Sequence, residues 1–231
     1  MTRSRVLAVG LVALIAIGIG GYVVYDQVLR GDSKPALTLP SAAPAASFDG
    51  VVAGTWTVAA GSQAGYRVTE QLASLPAASE AVGRTDQITG SIEITSDGTT
   101  TTLASGALTV DTTKIASDES RRDDRMRSQG LQTDQYPTAT FALTQPVVIP
   151  AAAIAGTSTD ITLVGDLTLH GTTKSVSIPA KAQLVGGQVQ VVGSITFPLS
   201  DFGITPPNIG GFIISIADKG TLEFAVAFSK G

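Results

Sequence analysis

The stretch Thr162–Ile178, TLVGDLTLHGTTKSVSI, decides the fold class of this 231-residue chain. Ile161, Leu163, Gly165, Leu167 and Leu169 fall on one parity, and Thr162, Asp166, Thr168 and His170 on the other. A period of two is that of a half-buried strand, whose successive side chains point to opposite faces. The break at His170-Gly171-Thr172-Thr173, followed by Val176 and Ile178, reads as a hairpin return. The class is therefore antiparallel β.

The same alternation runs through most of the chain after Gly54. Gly54–Val58 and Gly65–Val68 read as two short strands, and Ile88–Ile94 pairs through Ser96-Asp97-Gly98 with Thr100–Val110. Thr138–Ile149, Thr159–Leu169, Ser175–Leu184, Gln188–Leu199 and Gly220–Phe228 complete the set, with a hairpin turn at Gly186-Gly187. About eight strands with turns at this spacing make a sandwich or a closed barrel. Two stretches depart from the pattern. Asp118–Ser128 is dense in alternating charge and reads as a short helix with a solvated face, Asp123/Arg127 and Arg121/Arg125 standing four apart. Leu72–Ala81 reads as a second small helix interrupted at Pro76.

The N-terminus has a different character. Val6–Val24 holds no charged residue and spans roughly 28 Å as a helix, close to the hydrocarbon thickness of a bilayer. Arg3 and Arg5 precede it, so residues 1–5 are expected in the cytoplasm, 6–25 across the membrane, and the remainder outside. The run is longer than the apolar core of a cleaved signal peptide, and no small-x-small site follows it closely. Residues 26–50 are rich in Pro, Ala and Ser and read as a flexible linker to a β domain over 51–231. Beyond residue 47 the chain carries 11 basic and 17 acidic residues, which argues against nucleic acid or anionic headgroups as the main partner.

The residues that carry chemistry are few. The chain has no cysteine and one histidine, His170, so it offers neither disulfides nor thiolates, nor the several ligands a zinc site needs. No Gly-x-Ser-x-Gly elbow is present, and Asp111, Asp166 and Asp201 lack calcium-loop spacing. His170 reads as a corner residue bonded to the backbone. No catalytic residue, metal or cofactor is expected. Loop Ser200–Gly211 carries Phe202, Ile204 and Ile209 among prolines and glycines, and either packs one barrel end or closes over its mouth. Eight strands leave an interior that is filled by side chains or holds one ligand, and periodicity alone leaves both open.

Several of these pieces resemble one family. Gly54-x-Trp56-x-Val58 looks like its opening G-x-W-x-(I/V). Arg122-Asp123-x-Arg125-Met126-Arg127-Ser128, followed by Tyr136-Pro137 and Phe141, is similar to its RD-x-HL-RS…YP-x-x-x-F block, with Arg125 in place of the family's His. Gly165–Lys174 resembles its G-x-L-T-(L/I)-HG-x-T-(K/R) hairpin, and Asp201-Phe202-Gly203-Ile204 a later corner. The family is that of the YceI-like, lipocalin-like extracytoplasmic domains, and the likeness covers Gly54 to Phe228.

The resemblance implies an eight-stranded antiparallel barrel whose lumen binds a polyisoprenoid or isoprenoid quinone, in a binding protein rather than an enzyme. The wall is then expected from Trp56, Phe141, Leu143, Leu163, Leu167 and Leu169 in the first part of the domain. Val191, Ile195, Phe197, Phe202, Phe224 and Val226 would complete it. A tunnel of several hundred Å³ is the expected scale. The alternative is a packed β domain displayed at the cell envelope for a protein partner.

Overall fold

The computed structural model describes residues 34–40, 50–72, 78–206 and 213–231; the apolar segment 6–25 lies outside them. Among the described residues no helix is long and apolar enough to cross a membrane. Eleven strands form one antiparallel sheet: β1 (Gly54–Val58), β2 (Gln63–Leu72), β3 (Ser79–Thr85), β4 (Ile88–Ser96), β5 (Thr101–Asp111), β6 (Thr138–Leu143), β7 (Val147–Val148), β8 (Thr159–Leu169), β9 (Thr172–Val185), β10 (Gln188–Pro198) and β11 (Ile213–Lys230). Pairing runs β1-β4-β5-β6-β8-β9-β10-β11, and β11 returns to β1 through Trp56↔Lys230 and Val58↔Phe228, which closes an eight-stranded barrel. The first half of β11 pairs instead with β2, which carries β3 on its outer edge. A backbone bridge between Arg84 and Ala116 then ties β3 to the segment after β5, at 2.9 and 3.0 Å.

The hairpin that fixes the class has the register its parity requires, with Leu163 opposite Ile178 and Leu169 opposite Thr172. Its turn is only the two residues His170-Gly171, both at positive φ (51° and 72°), the twist that suits a tight hairpin. Gly171 is required there twice over. A Cβ would also stand 2.5 Å from the Tyr136 ring. His170 tolerates the left-handed region because its Nδ1 lies 3.1 Å from the Phe202 carbonyl and its ring packs edge-on to Tyr136. Gly186 and Gly187 make the second such turn, between β9 and β10.

Two expectations fail. The helix expected over Leu72–Ala81 is strand where the stretch is described: β2 runs to Leu72 and β3 starts at Ser79, with 73–77 outside the described residues. Cross-strand pairing of Val68 with Ala81 and Tyr66 with Gly83 overrides the weak local helix preference of an Ala-rich run. The strand expected over Thr138–Ile149 is broken at Thr144–Pro146, because Pro146 cannot donate to the ladder. The short helices are α1 (Ser120–Arg125), continued by a π-helical turn over Met126–Gly130, and α2 (Ala151–Ile154), which begins after Pro150.

Lys34–Pro40, expected within the linker, lie against the outside of the barrel. Arg67 donates to the Lys34 carbonyl at 2.5 Å and Arg84 to that of Pro35, while Gln183 reaches the Pro40 carbonyl at 3.4 Å. Beneath them Glu223 is almost fully buried, accepting from Arg67 Nε and Arg84 Nε, both at 2.8 Å. Gly65 lies between Glu223 and Arg84 in the pairing row and, lacking a side chain, lets the two meet. Replacing Glu223 by Gln leaves two largely buried guanidinium groups without that counter-charge. We expect a loss of roughly 3 kcal/mol in urea unfolding of the full chain; an unchanged midpoint would show that the cluster contributes nothing net.

Candidate functional site

The barrel is hollow. One apolar cavity of about 210 Å³ runs along its axis, and β2, β4, β5, β6, β8, β9, β10 and β11 all contribute to its wall. At one end it is bounded by Val52, Ile154 and Phe228, and at the other by Met126, Leu131 and Ile216. The volume is below the roughly 300–1,000 Å³ of common ligand pockets. It exceeds the ~150 Å³ of an engineered apolar cavity that stays dry and takes up benzene. A slender chain fits such a shape; a long one needs the wall side chains to shift or must emerge from an end.

The lumen stays open because its large rings lie along the wall. A Cβ on Gly165 would meet the Phe141 ring at 2.5 Å, one on Gly193 the Phe224 ring at 2.7 Å, and one on Gly83 the Tyr66 ring at 2.4 Å. Each ring is thus laid flat over a glycine of the neighbouring strand instead of standing into the centre. Leu, Ile, Val and Ala supply most of the remaining surface.

Of the residues expected to form the wall, Phe141, Leu143, Leu163, Leu167, Leu169, Val191, Phe197, Phe224 and Val226 line the cavity. Trp56, Ile195 and Phe202 do not. Trp56 is completely buried beside Val52, whose carbonyl accepts from the indole N–H at 2.9 Å, and Lys230 stands 5.8 Å over its ring. Phe202 packs edge-on against Phe197 as part of the barrel-end cluster, and Ile195 is half-buried against the core residues on either side of it. Ile204 does reach the cavity, so the loop after β10 packs the barrel end and touches the lumen at once; Ile209 lies outside the described residues. The parity argument missed Ile88, Ile92, Leu103, Ile178 and Tyr66, all on strands it had recognised.

The end under α1 is polar, and the solvated-face reading of Asp118–Ser128 is wrong for its two central residues. Arg122 reaches into the barrel end and donates to Glu70, only 2% exposed, at 2.7 Å, while its other terminal nitrogen holds Asp118 at 2.6 Å. Desolvation opposes the Arg122 charge, but Glu70 and Asp118 outweigh it and hold the guanidinium above the ordinary arginine value. Asp123 is buried and accepts from the Ser117 backbone N–H (2.9 Å) and hydroxyl (2.6 Å). Arg122-Asp123 therefore seats the α1 segment as a cap, with Met126 and Leu131 turned onto the lumen. Arg127 adds a bond to the Ile115 carbonyl at 3.2 Å. An inward acid on an apolar parity (Tyr66, Val68, Glu70) was the signal that could have located this end.

Residues 56–228 match the family described as YceI-like domain. The chain belongs to the YceI-like family. Among curated relatives, a UPF0312 protein of Pseudomonas aeruginosa is 37% identical over 106 residues, covering 42% of this chain and 50% of that protein. Protein YceI of Shigella flexneri is 40% identical over 75 residues, 32% and 35% of the two chains. The chain thus spans half or less of the length of these relatives. Among solved structures, a polyisoprenoid binding domain from Saccharophagus degradans superposes with a TM-score of 0.59 at 17% identity, over 78% of this chain and 99% of that one. Burkholderia cenocepacia BcnA superposes with 0.55 at 19% identity, over 74% and 98%. At such identities the likeness is one of fold.

Within the YceI-like barrel the cap depends on a few buried charges. Asp123→Ala removes both bonds to Ser117. Stability should fall by about 1–3 kcal/mol, and amide exchange should accelerate over residues 117–131 well before β8 and β9. Uniform acceleration through the barrel would show that the cap is not a separate unit.

Proposed function

We propose that this chain binds a polyisoprenoid or isoprenoid quinone in its barrel lumen and holds or carries it beside a membrane, without catalysing a reaction. The observation that carries the reading is the apolar cavity along the barrel axis. A prenyl chain buried there gains about 0.8 kcal/mol per CH₂ removed from water, with shape rather than polar contacts doing the recognising. The naming of the Saccharophagus degradans neighbour as a polyisoprenoid binding domain points the same way. The charged groups near the lumen are engaged with one another, which suits a container better than a reaction centre. A packed display module would have had its interior filled.

Membrane tethering is part of the proposal. Val6–Val24 has the length and apolarity of a single span, with its N-terminus in the cytoplasm and the barrel outside. A barrel so tethered meets prenyl lipids at raised effective concentration.

The test is organic extraction and mass spectrometry of the full chain purified in mild detergent from its own host. We expect a prenyl-bearing lipid approaching one per chain, and at least a tenfold loss in a Leu163→Trp variant that fills mid-lumen. Folded protein with no extractable lipid would sink the proposal, and equal lipid in the variant would move the site out of the lumen.

A further inference from the structure

Two polar side chains on the outside of the barrel are as buried as its core. Glu223 stands between Leu222 and Phe224 on β11, and Gln183 between Ala182 and Leu184 on β9; those flanking residues line the lumen, so the two polar side chains point outward. They are nevertheless only 4% and 3% exposed. An outward side chain is hidden only when something lies over the wall, and the segment Lys34–Pro40 touches both.

The contacts share one character. Arg67 and Arg84 donate to the Lys34 and Pro35 carbonyls, Glu223 accepts from the Leu37 N–H at 3.4 Å, and Gln183 donates to the Pro40 carbonyl at 3.4 Å. All four bonds go to the backbone of the segment. Their order along the segment is the order of strands across the wall: β2 and β3, then β11, then β9 beyond β10. Three strand spacings from β2 to β9 come to about 14 Å, and six residues of extended chain reach about 20 Å, so an extended segment spans them. Ordering seven linker residues costs conformational entropy comparable to what four hydrogen bonds and the half-buried Leu37 and Leu39 return. Pro35 and Pro40 lower that cost. Docking is therefore close to balance.

We propose that this outer wall is a peptide-binding groove that reads the backbone of an extended, proline-containing segment, and that residues 34–40 of the same chain occupy it in cis as a reversible strap. The site is separate from the lumen, on the other side of the sheet. The next described contact of the N-terminal chain is the Val51 carbonyl, which accepts from Lys230. Release of the strap lengthens the connection to the proposed membrane span from residues 26–33 to residues 26–50, from roughly 28 Å to roughly 85 Å fully extended. That consequence rests on the proposed span; the groove does not.

The experiment uses the full chain in mild detergent, as wild type and as a variant whose residues 34–40 are replaced by Gly and Ser. The probe is a fluorescent peptide of residues 32–42. At an effective concentration of about 1 mM for the tethered strap, a balance favouring docking by three- to tenfold corresponds to a Kd of about 0.1–0.3 mM in trans. The strap-replaced chain should bind the peptide in that range, and wild type roughly three- to tenfold more weakly because its groove is filled. A Leu37→Pro peptide, lacking the N–H that Glu223 accepts, should bind at least threefold more weakly than the native peptide. No binding to the strap-replaced chain, equal binding by wild type, or undiminished binding of the Leu37→Pro peptide would each overturn the groove. Wild type also gives a measurement that needs no variant: its Leu37 amide should exchange roughly three- to tenfold more slowly than in the free peptide. An equal rate would overturn the strap, and protection that rises with chain concentration would place a second copy's segment in the groove and overturn the cis assignment. In a lipid nanodisc, energy transfer from a dye on Ser175→Cys to acceptor lipids should fall when the strap is replaced. Unchanged transfer, with the peptide results intact, would overturn the membrane span alone.

Discussion

A closed ring of eight strands has one inner face, and everything in this molecule follows from how that face is kept apolar without being filled. Closure needs each strand to turn one parity inward, and bulky side chains on eight inner faces ordinarily meet at the axis. Here Phe141, Phe224 and Tyr66 lie over Gly165, Gly193 and Gly83 on adjoining strands. Each pairing takes a ring out of the centre and still buries it against backbone. The glycines that weaken strands locally thus maintain the hollow, and burial of Trp56, Leu103, Val226 and Phe228 around it supplies cohesion.

The two barrel ends solve different problems. At the Trp56 end the chain closes upon itself, with the indole wedged beside Val52 and Lys230 drawn onto the Ala53 carbonyl at 2.8 Å. At the other end the apolar cover, Met126 and Leu131, is held in place by polar contacts. The ring is completed by the Arg84–Ala116 bridge, and the opening is covered by a short helix held by Glu70, Arg122 and Asp123. Six residues are too few for a helix to persist without tertiary contacts, so the cap keeps its shape only while those polar contacts persist. Buried ion pairs seldom add much net stability; here they fix the geometry of the segment that covers this end of the cavity.

How much of this was legible varies with the physics involved. Period-two alternation exposed nearly every strand, since the half-buried pleat writes itself directly into the residue order; the turn read over His170–Thr173 proved tighter, with Thr172 and Thr173 already paired. The second helix was misplaced because cross-strand pairing, which is not local, decided Ser79–Thr85. Where apolar residues alternate strictly, as at Leu163, Leu167 and Leu169, the side chains border the cavity. Trp56, Ile195 and Phe202 lie off the cavity, since inward parity establishes burial but not whether a side chain faces a hollow or a neighbour. Arg122 was read as part of a solvated face and Glu223 carried no sequence signal; the folding of α1 over the barrel end and the covering by Lys34–Pro40 make them interior.

That covering segment also bears on how the barrel meets a membrane. A linker free from residue 26 to 50 would let the domain wander widely. With Lys34, Pro35 and Leu37 engaged by Arg67, Arg84 and Glu223, only residues 26–33 separate the proposed span from the first of these contacts along the chain. Even fully extended, eight residues reach roughly 28 Å. In the proposed tethered arrangement the β2–β3 wall, which carries Tyr66 on its inner side and the bound segment on its outer side, is therefore the part of the barrel held nearest the bilayer surface.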